Sequence, residues 1–170
     1  MLHNIIKKRK LLSDEEALIN FILFDVYPIS KTIFKTINYD KLIKIASAQL
    51  MLPAIYINLK RKFLLKNLPA DLINYLEEIY EINKNRNKAL SKEIYEISSL
   101  LNLNNIDYAF TKGAAIIIGG YLKDIGERMV GDIDIIVHKK DIKKTSKLLK
   151  KNNYYQKSNI QEFNHRHLPR

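Results

Sequence analysis

Apolar residues recur every three or four positions through the first two-thirds of the chain, which is the spacing of helices with one buried face. Ser13 and Glu16 precede a long apolar run and predict a capping box that opens the first helix. Pro28 is expected to end this helix, because proline cannot continue the backbone hydrogen-bonding ladder. Asp40 is the predicted N-cap of the next helix, which Pro53 is expected to end or kink.

A weaker helical pattern covers residues 54–69, and a longer one follows over residues 70–102. The apolar stripe of the longer segment begins at Leu72 and resumes at Leu90. Between them, the run NKNRNK at residues 83–88 is polar on every side of a helix. The sequence leaves open whether this segment is one long helix or two helices that meet at the polar run.

After residue 105, short alternating runs and turn residues replace the helical spacing. The predicted elements are a strand over 106–110, a turn and helix over 111–118, a strand over 132–138, a basic helix capped by Asp141, and two strands over 153–160 and 162–168. The predicted class is therefore α+β, with a helical N-terminal region over residues 1–104 and a small mixed β-sheet with helices packed on it over residues 105–170.

Composition narrows the class of protein. With 170 residues, of which 46% are hydrophobic, the chain can fold around a core, and its lack of cysteine excludes disulfides and thiolate metal sites. A net charge of +11 favours polyanions such as nucleic acid or nucleotides, although lysines on solvated helix faces explain the same charge. No apolar run reaches the roughly 18 residues of a membrane span, so a cytoplasmic protein without a membrane partner is expected.

Two aspartates interrupt the predicted strand near residue 132. Asp132 and Asp134 are two positions apart, so they share one face of a strand, where like charges repel each other. A divalent cation such as Mg²⁺ or Mn²⁺ would remove this repulsion, and Mg²⁺ typically binds one or two carboxylates together with substrate phosphates. The pair indicates nucleotide-dependent phosphoryl or nucleotidyl transfer, or else two solvent-facing aspartates near a strand end.

Residues that suit phosphate binding lie near this pair along the chain. Lys112 and Gly113 occur at the predicted turn from strand to helix, where glycine lets a phosphate approach the backbone and lysine supplies a mobile positive charge. Arg128 precedes Asp132 by four residues and could bind a phosphate through its forked guanidinium. A turn glycine beside a surface lysine, and a loop arginine, are the alternative interpretations.

These residues occur in an order that resembles a known family. The run FTKGAA at 110–115, Tyr121, and RMVGDIDIIV at 128–137 are similar to the signature of the uncharacterised nucleotidyltransferases, within the DNA polymerase beta-type nucleotidyltransferase superfamily. The resemblance implies metal-dependent transfer of a nucleoside monophosphate from an NTP to an acceptor, which is a protein side chain, an RNA end or a small molecule. It assigns the metals to Asp132 and Asp134.

The resemblance also assigns Gly113 to the turn beside the triphosphate, and Lys112 and Arg128 to phosphate or substrate contacts. The chain departs from the superfamily pattern at Ala114, where a serine or glycine usually follows the turn glycine, and more importantly in the third carboxylate, which a later strand normally supplies. After Asp134 the chain offers only Asp141 and Glu162, so a truncated form, or the front part of a longer protein, is expected.

Two further classes of function remain open from the sequence. The chain could be a non-catalytic basic module that binds nucleic acid, or an antitoxin-like component whose partner completes the site. Mg²⁺-dependent binding of an NTP that requires the two aspartates separates the enzyme from the nucleic-acid module. Size analysis with and without co-expressed neighbours tests for the paired component.

Overall fold

The computed structural model describes residues 12–25, 30 and 32–155. Within these residues the elements are α1 (Asp14–Phe24), α2 (Ile33–Thr36), α3 (Tyr39–Ala48), α4 (Leu52–Arg61), α5 (Ala70–Leu103), β1 (Tyr108–Thr111), α6 (Lys112–Ile118), β2 (Asp134–Val137) and α7 (Ile142–Lys151), with 3₁₀ turns at Leu65–Asn67 and Lys139–Asp141. The predicted α+β class is confirmed.

The start of α1 follows the sequence prediction. The Ser13 hydroxyl accepts from the Glu16 N–H at 3.3 Å, and the Glu16 carboxylate accepts from the Ser13 N–H at 2.8 Å. This capping box satisfies two of the N–H groups that a helix start leaves without partners. The helix ends at Phe24, where Asp25 adopts a left-handed conformation with φ of 55°, and Pro28 lies outside the described residues.

The predicted N-cap of α3 was wrong by two residues. Asn38 is the N-cap, and its side-chain oxygen accepts from the Lys41 N–H at 3.0 Å. Asp40 lies inside the first turn. Asn38 has the extended backbone that a cap requires, with φ of −84° and ψ of 101°, so the helix begins before Asp40.

Pro53 was predicted to end or kink this helix, and that prediction was also wrong. The helix α3 ends at Ala48, and Leu50 turns the chain with a left-handed φ of 56°. Pro53 lies in the first turn of α4, where its missing N–H has no intrahelical partner to lose.

The main hydrophobic core lies between α1, α3, α4 and the first half of α5. Its most deeply buried side chains are Leu18, Ile22, Ala46, Ile55, Leu59 and Leu76. Glu15 is also buried at this interface, where its carboxylate pairs with Lys41 at 2.5 Å. The bond from Lys41 lowers the pKa of Glu15 from 4.5 to about 2, against the opposing effect of burial.

The segment from Ala70 to Leu103 is one helix of 34 residues, about 51 Å long, which settles the choice that the sequence left open. The first half of α5 packs against the main core, and its last turns pack against a second cluster that includes the sheet. All six residues at 83–88 are polar, yet two of them lie on the buried face of the helix. Asn83 and Asn87 are buried, and they continue the stripe from Tyr80 to Leu90 at spacings of three and four residues.

The two strands of the sheet are antiparallel, with Tyr108 opposite Val137 and Thr111 opposite Asp134. The inner face packs against α5 and α7 through side chains that include Phe110 and Ile135. Asp141 occupies the predicted N-cap position of α7, but its side chain makes no capping hydrogen bond. The two strands predicted over 153–160 and 162–168 lie outside the described residues, except for residues 153–155, which are not in a strand.

In the part of the chain that the structure describes, no single helix has the length and apolar character needed to cross a membrane. Among these residues, α3 and α4 meet that criterion together, as a pair bent by 118°.

Candidate functional site

The strand register brings Lys112 to the first aspartate of β2. Thr111, the last residue of β1, lies opposite Asp134, so Lys112 begins α6 beside this carboxylate. The Lys112 ammonium donates to Asp134 Oδ1 at 2.9 Å. The other carboxylate oxygen, Asp134 Oδ2, is buried and accepts no hydrogen bond from the described residues. One sheet end therefore presents a carboxylate with one paired and one unpaired oxygen.

Asp132 lies two residues before Asp134, outside the strand as the structure has it, and is exposed. Its negative charge still acts on Lys112. The hydrogen bond that Lys112 donates to Asp134 raises the pKa of Lys112 above its ordinary value, and the charges of Asp134 and Asp132 raise it further. Both predicted carboxylates therefore lie within electrostatic reach of the lysine.

Lys112 has a left-handed backbone, with φ of 51°. This conformation costs about 1 kcal/mol for a residue with a side chain, and such strain is concentrated at functional sites. The left-handed residue makes the sharp change of direction from β1 into α6, which places the lysine side chain over the end of β2.

Gly113 is required by packing. A Cβ at this position would lie 2.6 Å from Val130 Cγ1 and 3.1 Å from Val130 Cγ2, well inside van der Waals contact. Val130 is 4% exposed, so it has little room to move aside. This contact joins the Lys112–Gly113 turn to the segment that leads into Asp132.

The segment before Asp132 is held by side chains of α5 that the sequence analysis missed. The Asn83 amide donates to the carbonyls of Gly126 at 2.8 Å and Arg128 at 3.1 Å. The Asn87 amide donates to the carbonyls of Ile125 at 2.6 Å and Arg128 at 2.7 Å. The signal that could have found these two asparagines is their spacing, because they fall in phase with the apolar residues on either side.

The same segment makes two charged contacts. Glu127 accepts from Arg61 Nη1 at 3.1 Å and from Asn58 Nδ2 at 3.3 Å. Arg86 donates through Nη2 to the carbonyl of Gly131, directly before Asp132, at 3.3 Å. Residues 125–131 are therefore attached to α4 and α5 along most of their length.

The remaining predicted site residue is Arg128, in the segment before Asp132. Its side chain is exposed, and it lines a groove of about 380 Å³ together with Phe24, Leu50 and Met129. Among the described residues its guanidinium forms no ion pair with Asp132 or Asp134. The structure thus brings together four of the five predicted site residues, and Arg128 contributes its backbone carbonyl to the asparagine contacts.

A third carboxylate does not join this site within the described ranges, where no group of three or more His, Cys, Asp or Glu side chains could hold a metal ion. Asp141 follows the opposite end of β2, in the 3₁₀ turn before α7, and Glu162 lies outside the described residues.

The order of these residues matches a protein family. A family model described as uncharacterised nucleotidyltransferase matches residues 35–170. The chain belongs to the uncharacterised nucleotidyltransferase family. The match contains the whole candidate site and the part of α5 that supports it. Membership of this family supports a general role in nucleotidyl transfer, as a transferase. Comparisons with curated proteins and with solved structures gave no match.

Proposed function

We propose that this chain transfers a nucleoside monophosphate from an NTP to an acceptor, with a divalent cation held by Asp132 and Asp134. The observation that carries the proposal is the 2.9 Å contact between Lys112 and Asp134. The contact supports the proposal because it joins the lysine of the glycine turn to one of the two aspartates, at the end of the sheet.

The carboxylate pair suits Mg²⁺ or Mn²⁺. Asp134 Oδ2 is a buried carboxylate oxygen that accepts no hydrogen bond from the described residues, and Asp132 lies nearby with its side chain exposed. Mg²⁺ commonly takes one or two protein carboxylates and completes its oxygen ligands from water and substrate phosphates. A cation bound there would supply positive charge to the triphosphate oxygens of the NTP.

The remaining residues have roles that follow from their positions. Lys112 neutralises Asp134 in the nucleotide-free chain, and its exposed, flexible side chain can turn to a phosphate oxygen when an NTP binds. Gly113 lets the turn approach Val130 closely, which holds the lysine over the strand end. Arg128 contacts phosphate or the acceptor from the exposed surface of the adjoining groove.

The test is thermal unfolding with each of ATP, GTP, CTP and UTP, in Mg²⁺, Mn²⁺ or a chelator. A nucleotide at a hundred times its Kd adds about 2.7 kcal/mol to the stability of the native state. For a chain of this size, the expected rise in Tm is about 5–10 °C with cation and none with chelator. An NTP labelled on its α-phosphorus then identifies the acceptor, as the protein, RNA or small-molecule fraction that takes up the label.

The matched variants are Asp132→Asn with Asp134→Asn, and Asp107→Asn as the control. Asp107 is exposed and precedes the opposite end of β1, so its loss should leave the nucleotide effect unchanged. The double variant should lose the effect, because it removes the negative charge that holds the cation. A nucleotide-dependent rise in Tm that persists in the double variant would refute the assignment of the aspartates.

A second candidate function rests on the surface of α7 and the turn before it. Seven exposed lysines lie here: Lys139, Lys140, Lys143, Lys144, Lys147, Lys150 and Lys151. Such a surface suits a polyanion such as nucleic acid, whose binding weakens steeply with salt. Changing Lys143, Lys147, Lys150 and Lys151 to glutamine would abolish this binding and leave NTP binding intact, whereas the aspartate variants would have the opposite effect.

A further inference from the structure

The segment that connects α6 to β2 receives hydrogen bonds from side chains of another element, the helix α5. Residues 119–133 contain no helix or strand, so most of their carbonyls have no partner within the segment. Asn83 and Asn87 donate four hydrogen bonds to three of these carbonyls, across 38 to 45 positions of sequence. A buried carbonyl without a donor is costly, so these bonds strongly favour one path for the segment.

Burying an asparagine on the apolar face of α5 is unfavourable for the helix. We therefore infer that the two asparagines are there to bind the carbonyls of residues 125–128. Asn83 is 3% and Asn87 0% exposed, on a stripe where apolar side chains pack above and below. The side-chain oxygens of both residues are buried and accept no hydrogen bond from the described residues. Leucine at either position would avoid this polar burial, whereas only a donor can hold the carbonyls.

Neighbouring contacts extend the attachment toward the carboxylates. A Cβ on Gly126 would lie 2.7 Å from Tyr80 Cε2, so the segment lies directly on α5. Further along, Arg86 bonds the carbonyl of Gly131, and Val130 packs on Gly113. A continuous set of contacts therefore runs from the middle of α5 through residues 125–131 to the residue before Asp132.

We propose that Asn83 and Asn87 are positioning residues that fix residues 125–131 so that Asp132 and Asp134 meet the Lys112–Gly113 turn. The consequence for catalysis rests on the proposed function, since it is the cation and the NTP that require the two elements to meet. The long helix is thereby a support for the site as well as a part of the main core.

The test compares Asn87→Leu with Asn85→Leu. Asn85 is exposed on the same helix, so it controls for the same substitution without the carbonyl contacts. Hydrogen exchange is measured at the amides of Gly126 and Glu127, which donate to Asp124 within the segment. The loss of two hydrogen bonds should speed their exchange by roughly 10- to 100-fold in Asn87→Leu, with no change in α4. Asn87→Ala, which removes the donor without adding bulk, replaces the leucine variant if that variant fails to fold.

Nucleotide binding is measured in parallel, with Mn²⁺ and whichever NTP stabilises the unmodified protein. Asn87→Leu should weaken binding by at least about tenfold, whereas Ile22→Val, a comparable loss of buried contact in the main core, should leave it unchanged. Unchanged exchange at Gly126 and Glu127 would overturn the inference, and so would faster exchange with unchanged NTP affinity. If the unmodified protein binds no NTP, the proposed function is wrong, and the exchange rates alone decide whether the asparagines hold the segment.

Discussion

Replacing Gly113 with alanine should destabilise the protein, although alanine favours a helix. The new Cβ would lie 2.6 Å from Val130 Cγ1, about 1 Å closer than carbon atoms approach at their optimal separation. Overpacking of this kind lowers stability by about 1–3 kcal/mol, and the better helix propensity of alanine offsets up to about 1 kcal/mol of that loss. We therefore expect Gly113→Ala to lower the free energy of unfolding by about 1–2 kcal/mol.

The contact can be isolated by a double-mutant cycle with Val130→Ala. That change alone removes both Cγ atoms and should cost about 2–3 kcal/mol, from the lost burial and the cavity it leaves. In the double variant the new methyl group enters the space that Val130 vacates, and the remaining Val130 Cβ lies 3.4 Å away, an acceptable contact. The double variant should therefore be about 1–2 kcal/mol more stable than the sum of the single changes predicts.

The assay is equilibrium unfolding in urea, with the free energy extrapolated to water for all four proteins of the cycle. Gly131→Ala is the matched control, because the nearest atom to its new Cβ would be Arg86 Nη2 at 3.9 Å. The packing explanation is wrong if Gly113→Ala costs no more than Gly131→Ala, or if the two changes in the cycle are additive.

Three further predictions follow from the contacts described above. Lys112→Gln should weaken NTP binding but strengthen the binding of Mn²⁺ alone, measured by calorimetry, because the ammonium no longer pairs with Asp134; weaker Mn²⁺ binding would contradict this. Glu15 has a folded-state pKa of about 2 against 4.5, so its ion pair stabilises the native state above pH 4.5 and loses this effect as the pH falls toward 2. The stability difference between wild type and Glu15→Gln should shrink over that range, and a constant difference would argue against the pair. Asn38→Ala should lower the free energy of unfolding in urea by about 1 kcal/mol, and Asp40→Ala by less than half of that. The reverse order would indicate that Asp40 is the cap.

Local chemistry explains what could be predicted from the sequence. The Ser13–Glu16 capping box involves residues three positions apart, so a short stretch of sequence contains the whole motif. The prediction that Asp132 and Asp134 share one strand face also used only a short spacing, but the strand begins at Asp134 and leaves Asp132 outside it. The order of the Lys112–Gly113 turn and the carboxylates along the chain was sufficient to predict the family, which the family model confirmed.

Competing local signals explain the errors at helix boundaries. Asn38 and Asp40 are both good caps by residue type, and only the backbone conformation at Asn38 selects between them. Pro53 ends a helix or begins one with equal ease, depending on where the preceding turn at Leu50 falls.

Tertiary structure alone decided how the site is supported. In the sequence, Asn83 and Asn87 look like surface residues of a polar run. In the structure their side-chain amides donate to carbonyls 38 to 45 positions away. The need for glycine at position 113 likewise comes from Val130, which only the folded chain brings near. Residue types and short spacings determined which groups are candidates for the chemistry, whereas the packing of one long helix against an irregular segment decided where those groups lie. The spacing of the two asparagines shows that they share the buried face of the helix, but the sequence does not show which distant carbonyls their amides reach.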